Sequence, residues 1–392
     1  MVSHFPVEVC EIILQFLTFR SVLTIRTISK NWYMASQLTE LHIELFSKPL
    51  QIRSMINHLN DLNITRLTLI ECGITPEDVR LIASSTHMNN LTTMDLTDNT
   101  LICDEGMSYI FINNSQLHHL VDLTLYNCRI GSRGVESMIN SSISQHLTSL
   151  DLGYNISISD LEVTSLCKVG FQSLERLVLC NNSVGDDGCK AIANASSMCR
   201  LRELRLGGNP IRIGISHLAS SCHMKHLETL VLNYTSGFEL VNVLLNNPQF
   251  VKLSTLDLYH CLLDSQGAKL LSQFHLLLTY LDISDNYIGI EGWKDIVTSP
   301  HMNRLRTLKN QFGNIDCAAI SLLVSCPFMS QLTHLDLTNN ILGDDGAKMI
   351  ACSSVMHNIR KLELTDNGIT GIGVAFIQNS VHLTQLIDLD IT

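Results

Sequence analysis

The sequence predicts an α/β solenoid: short parallel strands, each followed by a helix, behind a small helical N-terminal domain. Three observations predict it. An apolar pattern, Leu-x-x-Leu-x-Leu-x-x-Asn/Cys-x-Leu, starts at Ile64, Leu91, Leu120, Leu147, Leu174, Leu201, Leu227, Leu253, Leu278, Leu305, Leu332 and Ile359, at a spacing of about 27 residues. The chain has 392 residues, more than the roughly 250–300 at which one hydrophobic core stops growing, and a repeat array escapes that limit by growing in one dimension. Ahead of the repeats, the apolar residues have helical rather than strand spacing.

The N-terminal elements come first. Pro6 suits the first turn of a helix, where its missing N–H costs nothing, and Glu8 and Glu11 lie near that helix's positive end. Val9, Ile12, Ile13, Phe16 and Leu17 form one apolar stripe. Ser21 caps a second helix carrying Leu23, Ile25 and Ile28, and Ser29 caps a third carrying Trp32 and Tyr33. Three helices in about 35 residues cannot bury this much apolar surface alone. Either the array behind them or a partner covers the rest.

The order Phe5-Pro6, Ile13-Leu14-x-x-Leu17, Ile28-Ser29-Lys30-x-Trp32 resembles an F-box, without a gap. The resemblance implies docking to a Skp-type adaptor, and through it to a cullin ligase. The residues that would contact the adaptor are Phe5, Pro6, Ile13, Leu14, Leu17, Ile28 and Trp32. The repeats resemble the ribonuclease-inhibitor-like subclass of leucine-rich repeats, which implies a horseshoe with a parallel concave sheet and helices on the convex side. The expected domains are residues 1–37, the F-box, and 38–392, an array of about twelve full repeats. Leu38, Leu41 and Ile43 predict a degenerate first strand, and Leu386, Leu389 and Ile391 a truncated last one.

Each repeat position has a physical task. The strand leucines alternate with polar residues and bury one face. Asn99, Asn155, Asn182, Asn209, Asn286, Asn340 and Asn367 follow the strand, where an amide can satisfy backbone groups of the turn. Cys72, Cys128 and Cys261 stand at the same position as small buried residues. Glycine-containing helix starts follow, such as Asp186-Asp187-Gly188 and Asp344-Asp345-Gly346. Two repeats break the pattern. Thr235 replaces Asn before Ser236-Gly237; Asn310 replaces a strand leucine and Gly313 a turn Asn. Such breaks mark either function or decay of a repeat.

Composition narrows the function. A net charge of −11 argues against nucleic acid or an anionic membrane as the main partner. Neither a signal peptide nor a membrane span is read. The thirteen cysteines are odd in number and lack Cys-x-x-Cys pairing, which fits reduced thiols in the cytoplasm or nucleus. Met88, Met198, Met224, Met302, Met329 and Met356 follow the repeat register, so core packing explains them better than a metal site. His223 and His226 have metal-pair spacing but no completing ligand, and no cofactor is expected. With no phosphate loop or nucleophile elbow, the chain reads as non-catalytic.

Thirteen or so strands at ~4.8 Å spacing make a sheet on the order of 60 Å along its arc, the scale of a protein partner. One strand column, expected exposed, reads Thr68, Asp95, Thr124, Asp151, Val178, Arg205, Val231, Asp257, Asp282, Lys309, Asp336, Glu363. The next two columns hold Tyr126, Tyr154, Tyr234, Tyr259 and His260, where the fold needs nothing large. These aromatics and Arg205 form the expected substrate-binding set, since tyrosine is favoured at interface hot spots. The function implied is a substrate receptor of an SCF-type ubiquitin ligase. The alternative is a stand-alone interaction scaffold or enzyme regulator, like ribonuclease inhibitor or Ran GTPase-activating proteins.

Overall fold

The computed structural model describes the backbone of residues 40–46, and residues 63–112, 115–139, 141–235, 250–273, 275 and 277–391. It contains two compact units, residues 1–184 with 195–201, and residues 185–194 with 202–392. In the first unit β1 (Glu40–Phe46), β2 (Asn63–Ile70), β3 (Thr93–Asp95), β4 (Asp122–Thr124), β5 (Ser149–Asp151) and β6 (Arg176–Val178) pair in sequence order, all parallel. In the second, the strands are β7 (Glu203–Arg205), β8 (Thr229–Val231), β9 (Thr255–Asp257) and β10 (Tyr280–Asp282), then β11 (Thr307–Lys309), β12 (His334–Asp336), β13 (Lys361–Glu363) and β14 (Asp388–Asp390). They too pair in order and in parallel. A helix follows most strands, as in Asp186–Asn194 or Gly343–Cys352. This is the leucine-rich-repeat solenoid that the spacing predicts. Strands lie at the positions of Leu41 and Ile43, in β1, and of Leu389, in β14.

Register explains the core. Leu67, Met94, Leu123, Leu150 and Leu177 are successive strand partners and fully buried. Leu204, Leu230, Leu256, Leu281, Leu308, Leu335 and Leu362 do the same in the second unit. All six methionines of the stripe are buried. Each ends a single 3-10 turn, such as Ser196–Met198 or Pro300–Met302, that leads the chain back toward the next strand.

The asparagines stitch neighbouring repeats. Asn286 Oδ1 accepts from the backbone N–H groups of Cys261 (3.0 Å) and Leu263 (2.8 Å), while Nδ2 donates to the Leu258 (2.8 Å) and Ile283 (3.0 Å) carbonyls. Asn99 does the same for Cys72, Ile74, Leu69 and Leu96. Buried backbone polar groups that the sharp turn strands are thus paired. The cysteines at this position keep one of these bonds: Cys128 Sγ donates to Leu96 O (3.1 Å) and Cys261 Sγ to Leu232 O (3.2 Å). Burial pushes both thiols up to about 12, so they are neutral.

A second stitch was not legible in the sequence. Asp344, in the first turn of its helix, accepts from the N–H groups of Thr370 (2.8 Å) and Gly373 (2.9 Å) at the start of the next helix. Asp186 does so for Arg212 (2.9 Å) and Gly214 (2.6 Å). The stitch also explains one conspicuous glycine: a Cβ on Gly373 would fall 2.5 Å from Asp344 Oδ1.

At both breaks the replacement residue, Thr235 or Asn310, is buried. Thr235 Oγ1 donates to Leu232 O (2.5 Å), one of the bonds an asparagine would make. Asn310 is fully buried, and a Cβ on Gly313 would meet its Oδ1 at 2.5 Å. The Asn310 amide therefore fills space beside the turn, where it has no hydrogen-bond partner, and it presents nothing to a binding partner.

Candidate functional site on the strand faces

Side chains at alternate strand positions leave the core and form columns across the sheet. The acidic column corrects the expectation of exposure: Asp151, Asp282 and Asp336 are buried. The reason is a local cap. Each carboxylate Oδ1 accepts the N–H two residues on, at Gly153 (2.9 Å), Ser284 (2.9 Å) and Thr338 (3.1 Å); Asp257 does the same for Tyr259 (2.9 Å). These aspartates close the strand end first and can serve a partner only with the second oxygen.

In the first unit that oxygen is taken on Asp151, which meets Arg176 at 3.4 Å. Beside it the Tyr126 and Tyr154 rings lie 5.6 Å apart. Tyr126 packs over Gly153, where a Cβ would sit 2.8 Å from its Cδ2.

The second unit brings together most of the expected substrate-binding set. Tyr234 lies 5.1 Å from Tyr259 and 5.1 Å from His260, ring centre to ring centre, and Tyr259 lies 6.3 Å from His260. His260 Nδ1 is 2.7 Å from Asp285 Oδ2. A hydrogen bond with Tyr234, and then burial, push the Tyr259 phenol up to about 12. Tyr234 is 53% exposed. Arg205 stands outside the aromatic cluster, paired with Glu203.

The backbone under these rings carries information that the sequence did not yield. Tyr154, Tyr234 and His260 all have left-handed φ, of 58°, 57° and 51°. Equivalent positions elsewhere hold Asp98, Asn127, Asn181, Gly208, Asp285, Asn339 and Asp366, types that tolerate this conformation, and also Glu71 (φ 54°). An aromatic there is strained. Phe312 (φ 54°), 47% exposed, is a fourth case, one position before Gly313, and was not among the expected binding residues.

Farther along, His334, Asp336 and Glu363 gather ligand atoms within 4.8 Å of one another, a group split across two repeats and so invisible to motif spacing. His334 Nε2 meets Glu363 Oε2 at 2.5 Å; Lys309 (3.4 Å) and Gln311 (2.5 Å) meet Asp336, and Lys361 meets Glu363 at 2.9 Å. With two ammonium groups already on these oxygens, the cluster is a charge network rather than a cation cradle. Phe5, Pro6, Ile13, Leu14, Leu17, Ile28 and Trp32 lie outside the described residues.

The strand–turn–helix unit, its asparagine stitch and its open strand face define a leucine-rich-repeat protein. The F-box domain family matches residues 2–44, and the Leucine Rich repeat family matches 87–111, 144–161, 172–193, 330–351 and 355–377. The chain carries an F-box domain at its N-terminus followed by leucine-rich repeats. Over 264 residues it is 27% identical to human NACHT, LRR and PYD domains-containing protein 3, covering 62% of this chain and 24% of that one. It is 25% identical to mouse NACHT, LRR and PYD domains-containing protein 14 over 329 residues, covering 71% of this chain and 31% of that one. The chain thus spans less than a third of these relatives. Among solved structures, one from the yeast Rad7 and Elc1 complex matches with a TM-score of 0.52 at 14% identity, covering 97% of this chain and 92% of that one. At that identity the likeness shows the fold. Among the described residues no helix is long and apolar enough to cross a membrane.

Proposed function

We propose that this chain is the substrate-recognition subunit of an SCF-type ubiquitin ligase. The observation that carries the reading is an F-box directly ahead of a leucine-rich-repeat array. The F-box, over residues 1–37, docks a Skp-type adaptor through Phe5, Pro6, Ile13, Leu14, Leu17, Ile28 and Trp32, and a cullin follows through the adaptor. The strand face holds a protein substrate through Tyr126, Tyr154, Arg205, Tyr234, Tyr259 and His260. The similar yeast fold comes from a complex, Rad7 with Elc1, which agrees with work inside an assembly. The chain contributes position rather than bond chemistry: holding substrate beside a ligase converts a bimolecular encounter into an effectively unimolecular one. Such a subunit works in the cytoplasm or nucleus.

The test is co-purification with a Skp-type adaptor. Leu14→Ala/Leu17→Ala removes two apolar anchors, each worth about 2 kcal/mol or more at a hot spot, and abolishes adaptor capture while the repeats keep their melting transition. Unchanged capture by this variant overturns the receptor reading and leaves a stand-alone repeat scaffold.

A further inference from the structure

One spot on the second unit's strand face holds charge that the fold leaves unbalanced. Asp257 on β9 and Asp282 on β10 are register partners. Each commits Oδ1 to its backbone cap, and neither has an ion-pair partner among the described residues. The nearest cations are engaged: Arg205 with Glu203, and Lys309 with Asp336 at 3.4 Å. Burial pushes the Asp282 carboxyl up to about 6 and the Asp257 carboxyl upward too, by more than the nearby Lys309 and Arg205, each already paired, offset.

Aromatic rings adjoin this pair. Tyr259 follows Asp257 by two residues and packs edge-on to Tyr234 at 5.1 Å, with His260 alongside. Negative ring faces beside uncompensated carboxylates attract one chemistry in particular, an organic cation with an apolar stem. A divalent metal is a poorer fit, since it asks for six or more oxygen ligands and the register pair offers two carboxylates, each with one oxygen already committed.

We propose that this spot seats a lysine or arginine side chain of a bound protein segment. The cationic head sits against Asp257 and Asp282, and the methylene stem lies along Tyr259 and Tyr234. The proposal rests on the receptor reading only in taking the strand face as the grip, and it names the chemistry that the grip selects. An acidic segment is excluded by the same carboxylates.

The experiment is selection of phage-displayed random dodecapeptides on the purified full-length chain. Selected peptides share a Lys or Arg, and replacing it with Gln weakens binding at least about tenfold, the worth of a charge-assisted hydrogen bond. Asp257→Asn/Asp282→Asn causes the same loss, and in this variant the Lys→Gln or Arg→Gln change has no further effect. Asparagine keeps the Oδ1 acceptor that caps the strand end, so the variant is expected to fold, and its melting transition checks this. A selection with no basic motif, or basic peptides that bind the Asn variant as tightly as the original chain, overturns the proposal. Selection does not involve the adaptor. A missing basic motif therefore refutes this site alone, and unchanged adaptor capture by Leu14→Ala/Leu17→Ala refutes the receptor reading alone.

Discussion

Replacing Tyr234 with asparagine separates what the fold needs from what a partner needs. Tyr234 has φ 57°, a conformation that costs an ordinary L-residue about 1–2 kcal/mol and that asparagine tolerates. Its stacking on Tyr259 at 5.1 Å is worth about 0.5–1.5 kcal/mol. The two changes oppose each other, so stability moves by no more than about 1 kcal/mol in either direction. Partner binding has no such offset: loss of an exposed aromatic anchor costs about 2 kcal/mol or more, roughly thirtyfold in affinity. Urea titration followed by circular dichroism reads the first quantity. Capture of substrate, or of selected peptide, reads the second. If Tyr234→Asn destabilises the chain by several kcal/mol, the ring is a structural part and the argument from strain fails. If capture is unchanged, the grip lies elsewhere, with the face around Asp336 and Glu363 next in line.

Two further outcomes follow from buried polar groups. Asn286→Ala strands the N–H groups of Cys261 and Leu263 and removes the donor shared by three carbonyls; a cost of about 3 kcal/mol or more is expected, and hydrogen exchange at Cys261 and Leu263 should rise first. Asp282 faces Asp257, Ser284 and Lys309 and has a folded pKa raised to about 6. Its ionisation therefore opposes folding as pH rises from about 4 through 6. Asp282→Asn should be neutral to stability at pH 4 and stabilise by about 1–3 kcal/mol at pH 7; equal effects at both values would refute the burial argument.

The repeats were legible because strand leucines such as Leu230 and Leu256 recur at a period that chance does not produce, and burial alone dictates their type. The asparagines were legible for a similar reason, since one residue type satisfies several backbone groups at one turn. The strand-end aspartates were read as exposed because a sequence shows alternation but not caps: Asp336 turns its oxygens toward Thr338, Gln311 and Lys309. Tyr234, Tyr259 and His260 were legible as candidates, because large side chains stood where the fold needs none. The left-handed backbone of Tyr234 and His260 was not, since φ leaves no mark on residue type when the usual Asn or Asp is replaced. The His334, Asp336 and Glu363 network escaped notice because its members meet only once β12 and β13 are laid side by side.

The asparagine stitch gives the chain a direction in time. The turn at Cys72 and Ile74 is completed by Asn99, and that at Cys261 and Leu263 by Asn286, in each case from the repeat that follows. A ribosome adding ~5–20 residues per second delivers each such asparagine roughly 1–5 s after the turn that it closes. A repeat closed in this way stays unfinished, with bare amide groups at its turn, until its successor emerges. Pausing within the array would prolong that state at one defined place, and holdase chaperones would meet a single open turn rather than a wholly unfolded chain.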